Sequence, residues 1–213
     1  MICISIADIG IDKIKYLLPV HQLVEFRLDL MKLNYTEIEK LIKEFSDKII
    51  LTPKHKIFEK ETLELIGKSI NYGVKYIDFD YQSINSVPEI SDFKAKLSGH
   101  LIISYHNFIE TPSNEHLKFL IKDIELQKPE IIKICCKVNN INDIIRLLKL
   151  YNDYPQLGLI AFGLGENASL TRVLAKLKGA PFIYASIDEE NKTEPSQISY
   201  DNILKLMEIL KND

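Results

Sequence analysis

Two hydrophobic rhythms alternate along this chain. Short runs rich in isoleucine, valine and aromatic residues lie at 2–6, 23–29, 48–54, 74–80, 100–106, 131–137, 157–162 and 181–187, the β-branched and aromatic signature of strands. Between them the period lengthens. From Tyr35 to Phe45 the apolar residues Ile38, Leu41, Ile42 and Phe45 fall at i, i+3, i+4 and i+7, which predicts an amphipathic helix. The same logic predicts helices over 62–71, 115–126, 141–151, 168–177 and 199–210, with Ser113 and Asn140 as N-caps. Weaker helical patterns around 10–18 and 86–96 point to short elements.

Several strand runs are almost continuously apolar rather than alternating, the pattern of parallel strands covered on both faces. Eight β–α units with a terminal helix predict an α/β fold, a compact (β/α)8 TIM barrel, at the small end of that architecture's length range. An open doubly wound sheet is the competing arrangement. Its nucleotide loop is missing, because the glycines of Phe162-Gly-Leu-Gly-Glu follow the seventh strand and lack the later glycine of a dinucleotide fingerprint. No proline- or glycine-rich linker divides the chain, so residues 1–213 are read as one catalytic barrel domain.

Composition narrows the function classes. At 46% hydrophobic and 27% charged residues, the chain has the profile of a globular domain. Its 27 basic against 30 acidic residues leave a formal charge of -3, with no global positive field for nucleic acid or an anionic membrane. Cys3, Cys135 and Cys136 form no zinc-type or disulfide framework. Asp8 interrupts the apolar start, and no basic segment precedes it, so neither a signal peptide nor a membrane span is expected and a cytoplasmic location is.

Candidate chemistry sits where strands end, the face that carries active sites in barrels of this kind. The strand period of two puts Glu25, Arg27 and Asp29 on one side. A Glu25–Arg27 ion pair is one reading, and an Arg27 that meets an anionic or hydroxylated ligand is the other. On the fifth strand Ser104 and His106 share a side, and histidine suits proton transfer near neutrality. Lys133 interrupts the apolar sixth strand and shares a side with Cys135. Burial should depress its pKa and supply a neutral amine able to attack a ketone, unless a pocket carboxylate pairs with it. Asp78 and Asp80 share one face of the fourth strand, and Lys54 closes the third. Arg172 opens a helix after the seventh strand, and Thr193 to Gln197 form a polar turn after the eighth. The five histidines, His21, His55, His100, His106 and His116, fit no metal-binding spacing.

Taken in order, these motifs resemble type I 3-dehydroquinate dehydratase along essentially the whole chain. Glu25-Phe-Arg27-Leu-Asp29 is similar to the family's Glu-x-Arg strand, Ser104-Tyr-His106-Asn-Phe108 to its histidine motif, and Ile132-Lys133-Ile134 to the strand of its imine-forming lysine. Thr171-Arg172 matches its Ser-Arg pair, and Pro195-Ser196-Gln197 its Pro-Gly-Gln loop. The resemblance implies a lyase that converts 3-dehydroquinate to 3-dehydroshikimate through a Schiff base on Lys133, with His106 as general acid and base. It implies that Arg172 takes the substrate carboxylate, that Thr193 and Gln197 hold oxygen substituents, and that Glu25 and Arg27 organise the polar floor. It also implies no metal or other cofactor, and a homodimer.

Two departures stand out. Lys54 occupies the position of the family's usual arginine, and Phe58 that of the glutamate that assists the histidine. Glu59, Asp78 and Asp80 are the candidates to orient His106 instead. A Schiff-base aldolase and a non-catalytic barrel that binds a small carboxylate are the competing functions.

Overall fold

A computed structural model of the chain describes residues 1–97 and 99–210. Its strands are β1 (Ile2–Ile6), β2 (Leu23–Arg27), β3 (Ile49–Thr52), β4 (Tyr76–Asp80), β5 (Leu101–Asn107), β6 (Ile131–Lys137), β7 (Leu159–Leu164) and β8 (Ile183–Ala185). The helices are α1 (Ile11–Val20), α2 (Tyr35–Phe45), α3 (Lys60–Asn71), α4 (Glu89–Lys96), α5 (Asn114–Glu125), α6 (Ile141–Asp153), α7 (Ser169–Leu177) and α8 (Tyr200–Ile209). Strand and helix alternate throughout, and each of the seven ladders is parallel.

The sheet runs in the order β7-β6-β5-β4-β3-β2-β1-β8 and curls into a near-closed (β/α)8 barrel. Among the described residues no ladder joins β7 to β8. Side chains fill that seam: the Phe162 and Tyr184 rings lie 6.4 Å apart, and the Arg172 guanidinium packs 4.0 Å above the Phe162 ring.

Helix placement follows from the apolar stripes. Ile38, Leu41 and Ile42 of α2 are buried against the sheet, as their spacing requires. Side-chain caps fix several helix starts. Ser113 accepts the His116 N–H at 3.2 Å, and Asn140 forms a reciprocal box with Asp143. Asn34 and Glu37 form a second box that the sequence reading did not single out.

Four expected strands, β2, β3, β4 and β8, are shorter than their apolar runs. After Arg27 the chain turns at once, with Leu28 N–H bonded to Phe26 O and Leu30 N–H to Arg27 O, so Asp29 sits on a turn. Beyond Ala185, Ser186 N–H pairs with Ile198 O instead of a strand neighbour. The weak pattern near the start forms a ten-residue helix, α1, and the one near 90 an eight-residue helix, α4. No described helix is long and apolar enough to cross a membrane.

Candidate active site

The carboxyl ends of the strands enclose a cavity of about 300 Å³, and Glu25, Arg27, Lys54, His106, Lys133, Arg172, Thr193 and Gln197 all line it. That volume suits a small molecule. Lys133 and His106 share it because both face inward from neighbouring strands, with Ser104 opposite Lys133 and His106 opposite Cys135.

Lys133 lies 5% exposed on the barrel floor. Its Nζ donates to Asp78 Oδ2 at 2.9 Å, approaches Glu25 Oε1 at 3.6 Å and stands 4.0 Å above the Tyr184 ring. Glu25 is held in turn by the Ser5 hydroxyl at 2.7 Å and the Thr52 hydroxyl at 2.9 Å. Burial alone would raise the Glu25 carboxyl, yet Lys133, Arg27 and the two hydroxyls outweigh it and bring its pKa down to about 2. Burial likewise pushes the Lys133 amine down, but the carboxylates of Asp78 and Glu25 overcome it and hold its pKa well above the ordinary lysine value. Of the two readings of Lys133, the pairing with pocket carboxylates holds and the neutral amine does not: Lys133 rests as an ammonium. Of the two readings of Arg27, the direct ion pair with Glu25 is not formed, because the Arg27 guanidinium grips Asp29 through bonds of 2.8 and 2.7 Å while Glu25 serves Lys133.

His106 has the opposite electrostatics. Burial, then the cation of Lys54, lowers its pKa to about 4, against a smaller upward pull from Asp80. At neutral pH it is an uncharged imidazole. Asp80 Oδ2 lies 3.2 Å from Nδ1. A carboxylate can only accept and the Lys54 ammonium, 2.9 Å from the same nitrogen, can only donate, so Nδ1 meets an acceptor and a donor at once. Burial would raise Asp80, but His106 and Lys54 bring it down to about 2.

Lys54 reaches the same cluster, with Nζ 3.2 Å from Asp80 Oδ2 and 2.9 and 3.2 Å from the two ring nitrogens of His106. It does so from a left-handed backbone conformation, φ 50°, one residue after Pro53. That conformation is uncommon for a residue with a side chain. Phe108 stacks beside the imidazole, 6.1 Å away with planes inclined by 17°.

Of the three candidates to orient the histidine, only Asp80 touches it. Asp78 is committed to Lys133, and exposed Glu59 instead accepts the Tyr35 hydroxyl at 3.0 Å, on the α2 side. Phe58 is 62% exposed.

Arg172 enters from the first turn of α7. Thr171 ties that turn to β7 by accepting the Gly163 N–H at 2.9 Å and donating to Ala168 O. Gly163 makes the approach possible, since a Cβ there would stand 2.4 Å from Val138 Cγ2 and 2.8 Å from Ala168 Cβ. The Arg172 NH2 group donates to Glu194 Oε2 at 2.8 Å and to Ser196 Oγ at 3.4 Å. Burial lowers its pKa against the pull of Glu194. Gln197 Oε1 accepts both the backbone N–H of Thr193, at 2.8 Å, and its hydroxyl, at 3.1 Å, so what Gln197 can still offer a ligand is its amide N–H.

Ser5, Thr52, Tyr184 and Glu194 belong to this site and were not singled out from sequence. Ser5 was detectable as the one polar residue of the Ile2–Ile6 run. Tyr184 reads as an ordinary strand aromatic, and Glu194 as one acid in a polar turn.

The arrangement offers a buried, carboxylate-paired amine, a neutral imidazole and an arginine, all opening on one cavity. The family model for type I 3-dehydroquinase matches residues 2–213. A 3-dehydroquinate dehydratase from Methanococcus vannielii is 31% identical over 224 residues, 99% of this chain and 98% of that one. Another, from Dehalococcoides mccartyi, is 31% identical over 188 residues, 85% of this chain and 83% of that one. The crystal structure of 3-dehydroquinate dehydratase from Geobacillus kaustophilus superposes with a TM-score of 0.82 at 18% identity, over 99% of this chain and 91% of that one. Family model and relatives alike extend over most of the length of each chain, and on that ground this protein belongs to the type I 3-dehydroquinase family.

Proposed function

We propose that Lys133 forms the imine and His106 moves the protons when this enzyme dehydrates 3-dehydroquinate to 3-dehydroshikimate. The reaction class follows from family membership; the assignment to these side chains rests on their sharing one cavity in complementary charge states.

The resting ammonium of Lys133 first gives up a proton, and His106 is the uncharged base in the cavity. The free amine then attacks the C3 ketone, and His106 returns the proton to the carbinolamine hydroxyl, which leaves as water and gives a protonated imine with His106 neutral again. That iminium carries the same single charge as the ammonium it replaces, so Asp78 and Glu25 stabilise both. The imine acts as an electron sink when His106 removes the C2 proton. Protonated His106 returns a proton to the C1 hydroxyl, which leaves as water. A second water hydrolyses the conjugated imine, consuming the equivalent released when it formed, and frees Lys133. Asp80 and Lys54 hold the imidazole in place throughout. Arg172 takes the substrate carboxylate, and Thr193, Gln197 and Arg27 fix the remaining oxygens, a placement on which proton-transfer rates depend steeply.

On this reading residues 1–213 act as one catalytic barrel in the cytoplasm, as a homodimer, without metal, nucleotide or nucleic acid. Borohydride reduction in the presence of 3-dehydroquinate, followed by peptide mass mapping, tests the covalent step. The expected adduct lies on Lys133 and is absent from Lys133→Ala. Full turnover with no lysine trapped would remove the imine from the mechanism.

A further inference from the structure

The Glu194 side chain occupies a site built for a carboxylate. Its Oε2 accepts from the Arg172 NH2 group at 2.8 Å, from the Ser196 N–H at 3.1 Å and from the Ser196 hydroxyl, and its Oε1 accepts the Gly165 N–H at 3.4 Å. The donors come from three different segments, the β7–α7 loop, α7 and the β8–α8 loop. Arg172 is 2% exposed, and its Nε is buried without a hydrogen-bond partner among the described residues. A buried guanidinium needs a counter-anion, because an unpaired buried charge is strongly unfavourable. Ser5, Glu25, Lys133 and Tyr184 line the same cavity as Glu194, so the cradle opens directly onto the amine floor.

We propose that Glu194 is a built-in stand-in for the substrate's carboxylate, which holds the Arg172 cradle in the empty enzyme and must be displaced when substrate enters. This rests on the reading that Arg172 receives the substrate carboxylate. Binding is then an exchange of one carboxylate for another around a guanidinium that never loses its partner. Glu194 lies at the cavity rim and its side chain is 20% exposed, so it swings outward into water when displaced. Being tethered, it competes at a high effective concentration. A small acid that offers only a carboxylate loses that competition, whereas a ligand that also makes an imine and hydroxyl contacts wins it. Glu194 thus sets specificity by raising the threshold for carboxylate binding.

The test compares Glu194→Gln, Glu194→Asp and Arg172→Met in the full chain, each checked for an unchanged melting temperature. Glutamine keeps the shape but not the charge, and aspartate is one methylene too short to fill the cradle. Two constants are read for each: KM for 3-dehydroquinate, and the competitive inhibition constant of cyclohexanecarboxylate, which has the carboxylate without the ketone. For Glu194→Gln both should fall by about tenfold, equivalent to ~1.4 kcal/mol. Glu194→Asp should lower both in the same direction. Arg172→Met should raise both. If the Glu194 variants leave or raise the two constants while Arg172→Met raises them, Glu194 merely supports Arg172 and the exchange is overturned. If Arg172→Met changes neither constant, the fault lies with the underlying placement of the substrate carboxylate. A glutamate variant that melts early is decided by the other one.

Discussion

Replacing Lys54 with Met should move the His106 pKa upward. In the native enzyme the Lys54 ammonium lies 2.9 and 3.2 Å from the two ring nitrogens and 3.2 Å from Asp80. Two like unit charges about 3 Å apart repel by ~5 kcal/mol at an effective dielectric constant of about 20. Most of that is cancelled here, because Asp80 stands 3.2 Å from both cations. The imidazole is lowered from 6.5 to about 4, first by burial and next by Lys54, with Asp80 pulling the other way. A share of about one unit, ~1.4 kcal/mol, is therefore assigned to Lys54, so His106 should titrate near pH 5 in Lys54→Met. Proton NMR of the ring across pH 3–8 reads this directly, and the acid limb of kcat/KM should shift with it, since that profile reports the free enzyme. Asp80→Asn should move the resonance the other way, to lower pH. A His106 resonance that stays put or falls in Lys54→Met would refute the electrostatic account of this cluster.

Lys133→Ala should cost stability as well as activity, because it strands Glu25 and Asp78 as buried carboxylates; a loss of roughly 3–5 kcal/mol in denaturant melts is expected. Acidification should destabilise the fold in two stages. His106 has a folded pKa below its unfolded value, so between pH 6.5 and about 4 the unfolded chain binds the extra proton and stability drops as pH falls. Glu25 and Asp80, both brought down to about 2, withdraw their contributions below about pH 4.5. Thermal melts from pH 8 to 3 should therefore fall monotonically, and His106→Gln should shrink the upper stage and, because His106 helps hold Asp80 down, weaken the lower one too. Gly163→Ala should lower the melting temperature and raise KM together, since its Cβ would force β7 and the Arg172 turn apart; overpacking of this kind costs about 1–3 kcal/mol.

Sequence periodicity was enough for the eight strands, since nearly continuous apolar runs such as Ile49–Leu51 fit a doubly covered parallel sheet. It also placed His106 and Lys133 on inward-facing registers, because strand parity is rigid. Charge state was not legible. A lone lysine in an apolar strand reads as a neutral amine, and only the fold brings Asp78 and Glu25, 55 and 108 positions away in the chain, within reach of it. Arg27 misled for a related reason. The chain turns immediately after it, which presents Asp29 at bonding distance in place of Glu25. The choice among Glu59, Asp78 and Asp80 likewise depended on the short helical turn after β3, whose left-handed Lys54 no local pattern announces.

The brevity of β8 has a consequence for motion. Three residues pair with β1 on one side, against six paired positions between β5 and β6, and the other side rests on Phe162, Tyr184 and Arg172. Opening that edge breaks few backbone hydrogen bonds, so the amides of Ile183–Ala185 should exchange with deuterium through partial openings far smaller than global unfolding. The loop that bears Glu194 hangs from this weakly held strand, while Lys133, Asp78 and Glu25 belong to longer, doubly paired ones. Ligand entry and ligand chemistry thus draw on parts of one barrel with different rigidity, and the entrance can breathe while the amine keeps its place.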